Sequence, residues 1–99
     1  MKITYTARKV NLKDNFKELC EKKLAKFQKI FSEDAEASVV VTLYKNRQTV
    51  EVTVKDNGMV FRAEDTQDEM NDALDKVVDI LGRQMRKNKT RLARRLRDN

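Results

Sequence analysis

Three consecutive stretches of alternating apolar and polar residues constrain the fold of this chain most strongly. They run over Ala37–Tyr44, Thr49–Lys55 and Met59–Glu64, and each is rich in β-branched or aromatic residues, as strands are. Within each stretch every second residue is apolar, so these apolar residues share one face of the strand. The pattern therefore predicts a sheet that packs against other elements on one face only.

Short turns are predicted between these strands. Asp56-Asn57-Gly58 supplies residues that tolerate positive φ, which predicts a tight hairpin between the second and third stretches. Residues Lys45–Gln48 are predicted to form the turn between the first and second. The three stretches should therefore pair in an antiparallel arrangement.

One further strand and two helices complete the predicted domain. Residues Lys2–Ala7 alternate in the same way and predict a strand. Apolar residues at three- and four-residue spacing predict a helix that begins between Asn11 and Asp14 and runs to about Phe31. A second helix is predicted from near Gln67. The candidate N-caps are Asn11 or Asp14 for the first helix and Asp65, Thr66 or Asp68 for the second.

The resulting order is β-α-β-β-β-α, which indicates an α+β domain of two layers. A strand-helix-strand unit closes with a right-handed crossover, so the first two strands should be parallel neighbours and the later ones antiparallel. We therefore predict a four-stranded mixed sheet with both helices on one face. Cys20 falls on the apolar side of the first helix and should be a buried core residue.

The composition excludes most catalytic chemistry. The chain has 99 residues with one Cys and no His, so the usual zinc sites and the Ser-His-Asp and Cys-His nucleophile pairs are unavailable. Gly58 and Gly82 are the only glycines and are too far apart for a phosphate-cradling loop. We therefore expect no enzymatic activity, no cofactor, no metal and no small-molecule substrate.

No long apolar run occurs in the sequence. Nothing approaches the roughly 18 to 20 apolar residues that a membrane span needs, and the N-terminus lacks the apolar region of a signal peptide. We therefore expect a cytoplasmic protein with no membrane partner. The formal net charge of +6 instead favours a polyanion such as nucleic acid.

The most basic part of the chain is Leu81–Arg97. This stretch keeps one apolar stripe at helical spacing. Its other faces carry Arg83, Arg86, Lys87, Lys89, Arg91, Arg94, Arg95 and Arg97, with no acidic residue among them. Basic residues also complement the dipole at a helix C-terminus, but that effect fades within the last turn. The amount of charge therefore favours phosphate binding over a merely solvated helix end.

The first predicted helix carries a row of lysines as well. By spacing, Lys22, Lys26 and Lys29 share one side. A row of this kind is commonly a solvated face, so solvation and phosphate binding stand as alternative interpretations. The row gains importance for binding only if the fold packs it beside the basic half of the second helix.

Two segments of the chain resemble a known family. They are Arg62–Met70, with the sequence RAEDTQDEM, and Arg83–Thr90, with the sequence RQMRKNKT. Further matching positions are Met1–Ile3, Arg8, Glu21–Leu24, Lys26 and Phe27. Over nearly its whole length the chain resembles the hibernation promoting factor family, also called ribosome-associated inhibitor or sigma-54 modulation proteins.

The resemblance implies a domain that binds the small ribosomal subunit in stationary or stressed cells. Family members occupy the channel of mRNA and tRNA, against the rRNA of the decoding region, and block translation by occlusion. The positions that match the family's RNA-binding residues are Arg8, Lys22, Lys23, Lys26, Arg83, Arg86, Lys87 and Lys89. The charge pattern adds Lys29, Arg91, Arg94 and Arg95 to the candidate RNA-binding residues.

Two positions depart from the family pattern. Asn71 stands where the family usually has Tyr, and Gly82 stands where it usually has Glu. Longer members carry a second domain that pairs ribosomes into dimers. We expect residues 1–96 to form one ribosome-binding domain and residues 97–99 to fray, where a linker to such a domain would start. The chain is then either a short member or the N-terminal domain of a long one.

Two other functions fit part of the pattern. A general double-stranded RNA binding module also backs a sheet with two helices, but that class normally begins with a helix, whereas Lys2–Ala7 predicts a strand. A protein-interaction domain could use the long second helix to bind another chain. The apolar spacing of that helix is explained more simply as core packing.

Overall fold

The strands and helices follow one another in the predicted order. The structure, a computed structural model, describes residues 1–88. It contains β1 (Lys2–Arg8), α1 (Asp14–Ala25), β2 (Glu36–Tyr44), β3 (Arg47–Asp56), β4 (Met59–Gln67) and α2 (Met70–Lys87). The α+β class and the β-α-β-β-β-α order are confirmed. The helical pattern predicted after Asn88 lies outside the described residues.

The four strands form one mixed sheet in the order β1-β2-β3-β4. β1 and β2 are parallel, with Tyr5 opposite Val39, whereas the β2–β3 and β3–β4 pairs are antiparallel. Helix α1 is the crossover connection that two parallel neighbours require. The predicted mixture of one parallel pair with antiparallel neighbours is confirmed.

Both hairpins use two-residue turns with positive φ. Asn57 and Gly58 have φ angles of 50° and 80°, as a type I′ turn requires, and this hairpin lies where the sequence predicts it. The first hairpin turns at Lys45 and Asn46, whose φ angles are 48° and 64°. Tyr44 pairs directly with Arg47, so this turn is shorter than the predicted Lys45–Gln48 segment and β3 begins earlier.

The core lies on one face of the sheet. Val39, Val41, Val50, Val52 and Val54 are fully buried, and they form one cluster with the buried side chains of both helices. Burial of a valine side chain contributes about 1.5–3 kcal/mol. The helices therefore cover one face, and we call the opposite side of the sheet the outer face.

Helix α1 is shorter than the sequence predicts. The prediction extends it to Phe31, but the regular helix ends at Ala25. Beyond it, Phe27 N–H donates to the Leu24 carbonyl at 3.0 Å and Ile30 N–H to the Phe27 carbonyl at 3.0 Å. These three-residue bonds form tight turns that keep a helix-like spacing, so Phe27 and Phe31 are still buried.

A tertiary contact fixes the end of this segment. Ser32 donates to the Asp56 carboxylate twice, from its N–H at 2.9 Å and from its hydroxyl at 2.7 Å. Just before it, the Phe31 ring packs edge-on against Phe61, with 5.8 Å between ring centroids. The periodicity of the sequence continues through this segment, and its end is bonded to the Asp56 carboxylate at the end of β3.

The predicted helix caps are wrong. Lys13 and Glu69 occupy the N-cap positions of α1 and α2, and neither side chain caps the helix. The start of α2 moves to Met70 because β4 continues to Gln67, which pairs with Gln48.

The side chains predicted to cap α2 are bonded within β4 or to residues of β3 instead. Asp65 accepts from Gln67 at 2.8 Å, the Thr66 hydroxyl bonds to that of Thr49 at 2.7 Å, and Asp68 lies 3.4 Å from Arg47. Strand pairing therefore extends beyond the point where sequence signals place the helix start.

Burial of Cys20 makes the stability of the fold sensitive to alkaline pH. Cys20 is fully buried, and burial, reinforced by the negative charge of Glu21, raises the pKa of its thiol to about 12. An unfolded thiol ionises near pH 8.5, so the folded state retains a proton that the unfolded state loses. The contribution of Cys20 to the free energy of unfolding is intact below about pH 8.5. It falls by about 1.4 kcal/mol per pH unit as the pH rises toward 12.

Urea unfolding at neutral pH and at about pH 10.5 checks this expectation. Cys20→Ala removes the thiol and should show a smaller loss of stability at alkaline pH than the parent chain. Tyr5 is present in both proteins; burial, and then the charges of Cys20 and Glu21, raise its pKa to about 12, so the difference between the proteins reports the thiol together with its coupling to Tyr5. Equal losses in the two proteins would contradict the assignment.

Candidate nucleic-acid interface

The two helices run in the same direction over the sheet. Helix α1 joins two parallel strands and so runs opposite to β2, and α2 returns from β4, which is itself parallel to β2. Both helices therefore end near the β3–β4 hairpin. Two contacts agree with this: Ser32, after α1, bonds to Asp56, and Gln84 of α2 lines a hollow with Gly58.

The side of α2 that faces α1 changes charge along its length. Asp75, Asp79, Gly82 and Arg86 recur at steps of four, three and four residues, so they share one stripe of the helix. The first half of the stripe is acidic and its end is basic. Gly82 lies where the charge changes.

A groove separates the acidic half of this stripe from α1. The groove is lined by Leu19, Lys22, Lys23, Lys26, Asp75, Val78 and Asp79. Lys23 Nζ lies 2.6 Å from Asp75 Oδ1, and the Lys23 side chain is only 32% exposed. Lys23 is therefore already paired within the domain, and two aspartates lie opposite the lysines of α1.

Phe27 and Gly82 bring the basic ends of the two helical segments together. A Cβ placed on Gly82 would lie 4.0 Å from Phe27 Cε1 and 3.4 Å from Arg86 Nη1, so the ring and the guanidinium both lie over this glycine. Lys26 Nζ lies 5.2 Å from the centroid of the Phe27 ring. Lys26 and Arg86 therefore lie beside the same buried ring.

The exposed cations at these ends form the surface that we call the helix-end patch. It comprises Lys22, Lys26, Lys29, Arg83, Arg86 and Lys87, all of which are exposed. None of the six forms a salt bridge with another residue of 1–88. Unpaired cations grouped at one end of a domain create a local positive potential that attracts polyanions.

Charge segregation, rather than overall charge, produces this patch. Five of the 22 basic residues and one of the 16 acidic residues follow Asn88, so the first 88 residues hold only a small excess of basic residues. The acidic residues of α2 lie toward its start, where Lys76 is the one cation among them, and Arg83, Arg86 and Lys87 lie toward its end. Parallel helices then place both basic ends on one side of the molecule.

Not every predicted site residue lies in the patch. Arg8 is exposed at the end of β1, at the opposite end of the sheet, and Lys23 is paired with Asp75. Of the two departures from the family pattern, Gly82 lies beside the patch, whereas Asn71 is exposed in the first turn of α2. The predicted residues Lys89, Arg91, Arg94 and Arg95 lie outside the described residues.

Sequence reasoning missed three residues that shape the site. Asp75 and Asp79 screen the lysines of α1, and Phe27 separates Lys26 from Arg86. The four-residue spacing of Asp75 and Asp79 was a usable signal, because it continues to Arg86 on the same stripe. No sequence pattern indicated which residues of α1 lie opposite that stripe.

The described part of the chain offers neither a cluster of metal ligands nor a helix that could span a membrane. Residues 1–88 contain no group of three or more metal-binding side chains placed to hold an ion. Neither helix in this range combines the length and the apolar character that crossing a membrane requires.

The fold and the patch together define a class of protein: a small α+β domain with a basic surface at the ends of two parallel helices. A sequence model of the family described as "Sigma 54 modulation protein / S30EA ribosomal protein" matches residues 3–93. The chain belongs to this family, which confirms the resemblance seen in the sequence.

Known relatives agree with this assignment. The chain is 34% identical over 101 residues to the ribosome hibernation promotion factor of Lactococcus lactis, covering 99% of this chain and 55% of that protein. It is 34% identical over 92 residues to the factor of the same name from Staphylococcus aureus, covering 90% and 48%. The chain thus spans about half the length of these curated relatives.

Solved structures share the fold over most of the chain. The N-terminal domain of Thermus thermophilus Protein Y superposes with a TM-score of 0.78 at 27% identity, covering 88% of this chain and 98% of that one. A ribosomal subunit interface protein from Coxiella burnetii gives 0.80 at 27% identity, covering 91% and 99%.

Proposed function

We propose that this domain is a ribosome hibernation factor that binds the rRNA of the small ribosomal subunit through the helix-end patch. The observation that carries the proposal is the convergence of two basic helix ends in a chain that belongs to this family. The domain would act in the cytoplasm of stationary or stressed cells. It would occupy the channel of mRNA and tRNA and block translation by occlusion.

Several observations support the ribosome as partner. Two relatives are named ribosome hibernation promotion factors, and one structural relative is named a ribosomal subunit interface protein. The exposed cations of the helix-end patch suit a phosphate-rich surface, because phosphate contacts position a protein on nucleic acid without reading its bases. Structured rRNA is read largely through shape and backbone.

The proposed mechanism requires no chemical step by the protein. Lysine and arginine side chains would neutralise rRNA phosphates and release their counterions. The bound domain would then exclude mRNA and tRNA by its volume alone. Inhibition should therefore follow occupancy of the small subunit and should be reversed when the domain dissociates.

Sedimentation with purified small subunits at graded salt tests the proposal. With about six phosphate contacts, affinity should fall roughly 10³-fold between 50 and 200 mM salt. Bound domain should also displace initiator tRNA, because the two would share one channel. Free large subunits and an RNA duplex of arbitrary sequence serve as comparison ligands.

The comparison ligands separate this proposal from general RNA binding. Tight binding to small subunits with weak binding to the duplex supports a hibernation factor. Comparable affinity for both would indicate a general double-stranded RNA binding module. Binding to small subunits without displacement of tRNA would contradict occlusion, and salt-insensitive binding would contradict the phosphate contacts.

A further inference from the structure

The outer face carries a second group of cations, built around an exposed aromatic ring. We call Arg8, Tyr44, Lys45 and Arg47 the outer-face patch; all four are exposed. Tyr44 is 63% exposed, and only Val60 joins it as an exposed large hydrophobic residue in the described part of the chain. A single exposed apolar residue is ordinary in a protein surface. What distinguishes Tyr44 is the group of exposed cations around its ring.

Strand pairing places Tyr44 between two arginines. Tyr44 pairs directly with Arg47 of β3. On the other side, Arg8 of β1 pairs with Thr42, which lies two residues before Tyr44 on the same face of β2. Side chains two residues apart along a strand point to the same face. Tyr44 therefore lies within reach of a guanidinium on each neighbouring strand.

Side chains alternate between the two faces along each strand, and this alternation places these residues on the outer face. Tyr5 of β1 points to the helices, since its hydroxyl donates to the Lys17 carbonyl of α1 at 3.1 Å, so Arg8 has the opposite orientation. Val41 of β2 and Val50 of β3 are fully buried, which directs Tyr44 and Arg47 outward. The outer-face patch is therefore separated from the helix-end patch by the thickness of the sheet.

Local contacts hold the patch in place. The Lys45-Asn46 turn has positive φ at both residues, and Lys45 Nζ lies 5.4 Å from the centroid of the Tyr44 ring. Arg47 Nη2 donates to the Thr66 carbonyl at 3.3 Å. A nearby carboxylate, Asp68, lies 3.4 Å from Arg47, but its side chain is 82% exposed, and such surface pairs are weak.

We propose that the outer-face patch binds single-stranded RNA, with an unpaired base stacked on Tyr44 and the adjacent phosphates held by Arg8, Lys45 and Arg47. An exposed ring among cations is the arrangement that single-stranded nucleic acid recognition uses. A base inside a duplex could not reach the ring, so the ligand must be unpaired. This surface goes beyond the proposed function and does not depend on the helix-end patch.

The row of side chains directly beside the patch suits an extended strand of RNA, before the acidic pair Glu51 and Glu64 of the next row. Next to the patch the outer face presents Thr42, Thr49 and Thr66, which share one cross-strand row. These side chains are short, so they leave the tyrosine ring accessible from the sheet side. Their hydroxyl groups can donate to phosphate or ribose oxygens.

Fluorescence anisotropy with a labelled oligouridine of about ten nucleotides tests the proposal. The measurement uses an Arg83→Glu/Lys87→Glu background, so that the helix-end patch contributes little. Tyr44→Ala should lower the affinity about tenfold, within the range seen for loss of a stacking aromatic. Tyr44→Phe should keep most of the affinity, because it keeps the ring. Val60→Ala is the matched control and should bind like the background.

The outcomes separate this proposal from the previous one. Loss of binding in Tyr44→Ala and retention in Tyr44→Phe, with unchanged circular dichroism, supports a stacking site. Equal affinities of Tyr44→Ala and the background overturn it, as does an equal loss in Val60→Ala. Failure of the domain to bind small subunits would overturn the proposed function without changing these results, because the oligouridine assay contains no ribosome.

Discussion

Arg83→Glu combined with Lys87→Glu should abolish binding to the small ribosomal subunit while the domain remains folded. Both side chains are exposed and are four residues apart on α2, so they lie on one side of the helix. Each substitution removes a cation and adds an anion. A hydrogen bond to a charged group contributes about 1.5–3 kcal/mol, so losing two should weaken binding at least about 100-fold.

Cosedimentation with purified small subunits measures this effect. The fold should survive, because two exposed like charges four residues apart cost only a few tenths of a kcal/mol. Lys2→Glu combined with Lys55→Glu is the matched control: it changes the charge equally, at exposed positions on the outer face of the sheet, which the helices do not cover. Unchanged cosedimentation of the α2 variant, or an equal loss in the control, would remove the patch from the proposed mechanism.

A substitution in the groove between the helices should have the opposite effect on binding in the same assay. Asp75→Asn removes the carboxylate that pairs with Lys23 and keeps the size of the side chain. Lys23 would then be free to contact phosphate, so binding should strengthen. Weaker binding would mean that Asp75 positions Lys23 rather than competing with the RNA for it.

Leu81→Ala should destabilise the fold by about 2–5 kcal/mol. Leu81 is fully buried in the core, on the turn of α2 that precedes the basic residues of the patch. Domains of this size have about 5–15 kcal/mol of total stability, so the variant would lose a large fraction of it. The reason is lost apolar burial together with a cavity that the surrounding side chains fill only partly.

Urea unfolding measures this loss as a lower midpoint. Ile80→Ala is the matched control, since Ile80 is the adjacent residue of the same helix but is only partly buried against the core. Its loss should be clearly smaller. Similar losses in the two variants would contradict the assignment of the effect to burial, since Ala is a better helix former than either residue and propensity cannot explain a loss.

The order of elements and the mixed sheet could be predicted because they depend on local patterns. Alternation at Val50, Val52 and Val54 already identifies the buried face of β3, and these residues are fully buried. Asn57-Gly58 determines its own hairpin, since both residues tolerate positive φ. Each of these features is decided by residues that are neighbours in the chain.

The ends of the helices could not be predicted in the same way. Asp65, Thr66 and Asp68 are good capping residues by type, but their side chains bond within β4 or to residues of β3. The segment after Ala25 keeps helical spacing, yet Ser32 is bound to Asp56, a residue at the end of β3 that is distant in the chain. Competition from distant partners decided these boundaries.

The features of the candidate site also fall into those that depend on the chain alone and those that depend on its packing. By itself the sequence determined how much positive charge the chain carries and on which helices it lies, because composition and periodicity are properties of the chain. Only the tertiary structure decided that Asp75 pairs with Lys23 and that Phe27 lies over Gly82. Periodicity assigns a side chain to a face of its own helix, but the charge that lies opposite depends on how the elements pack.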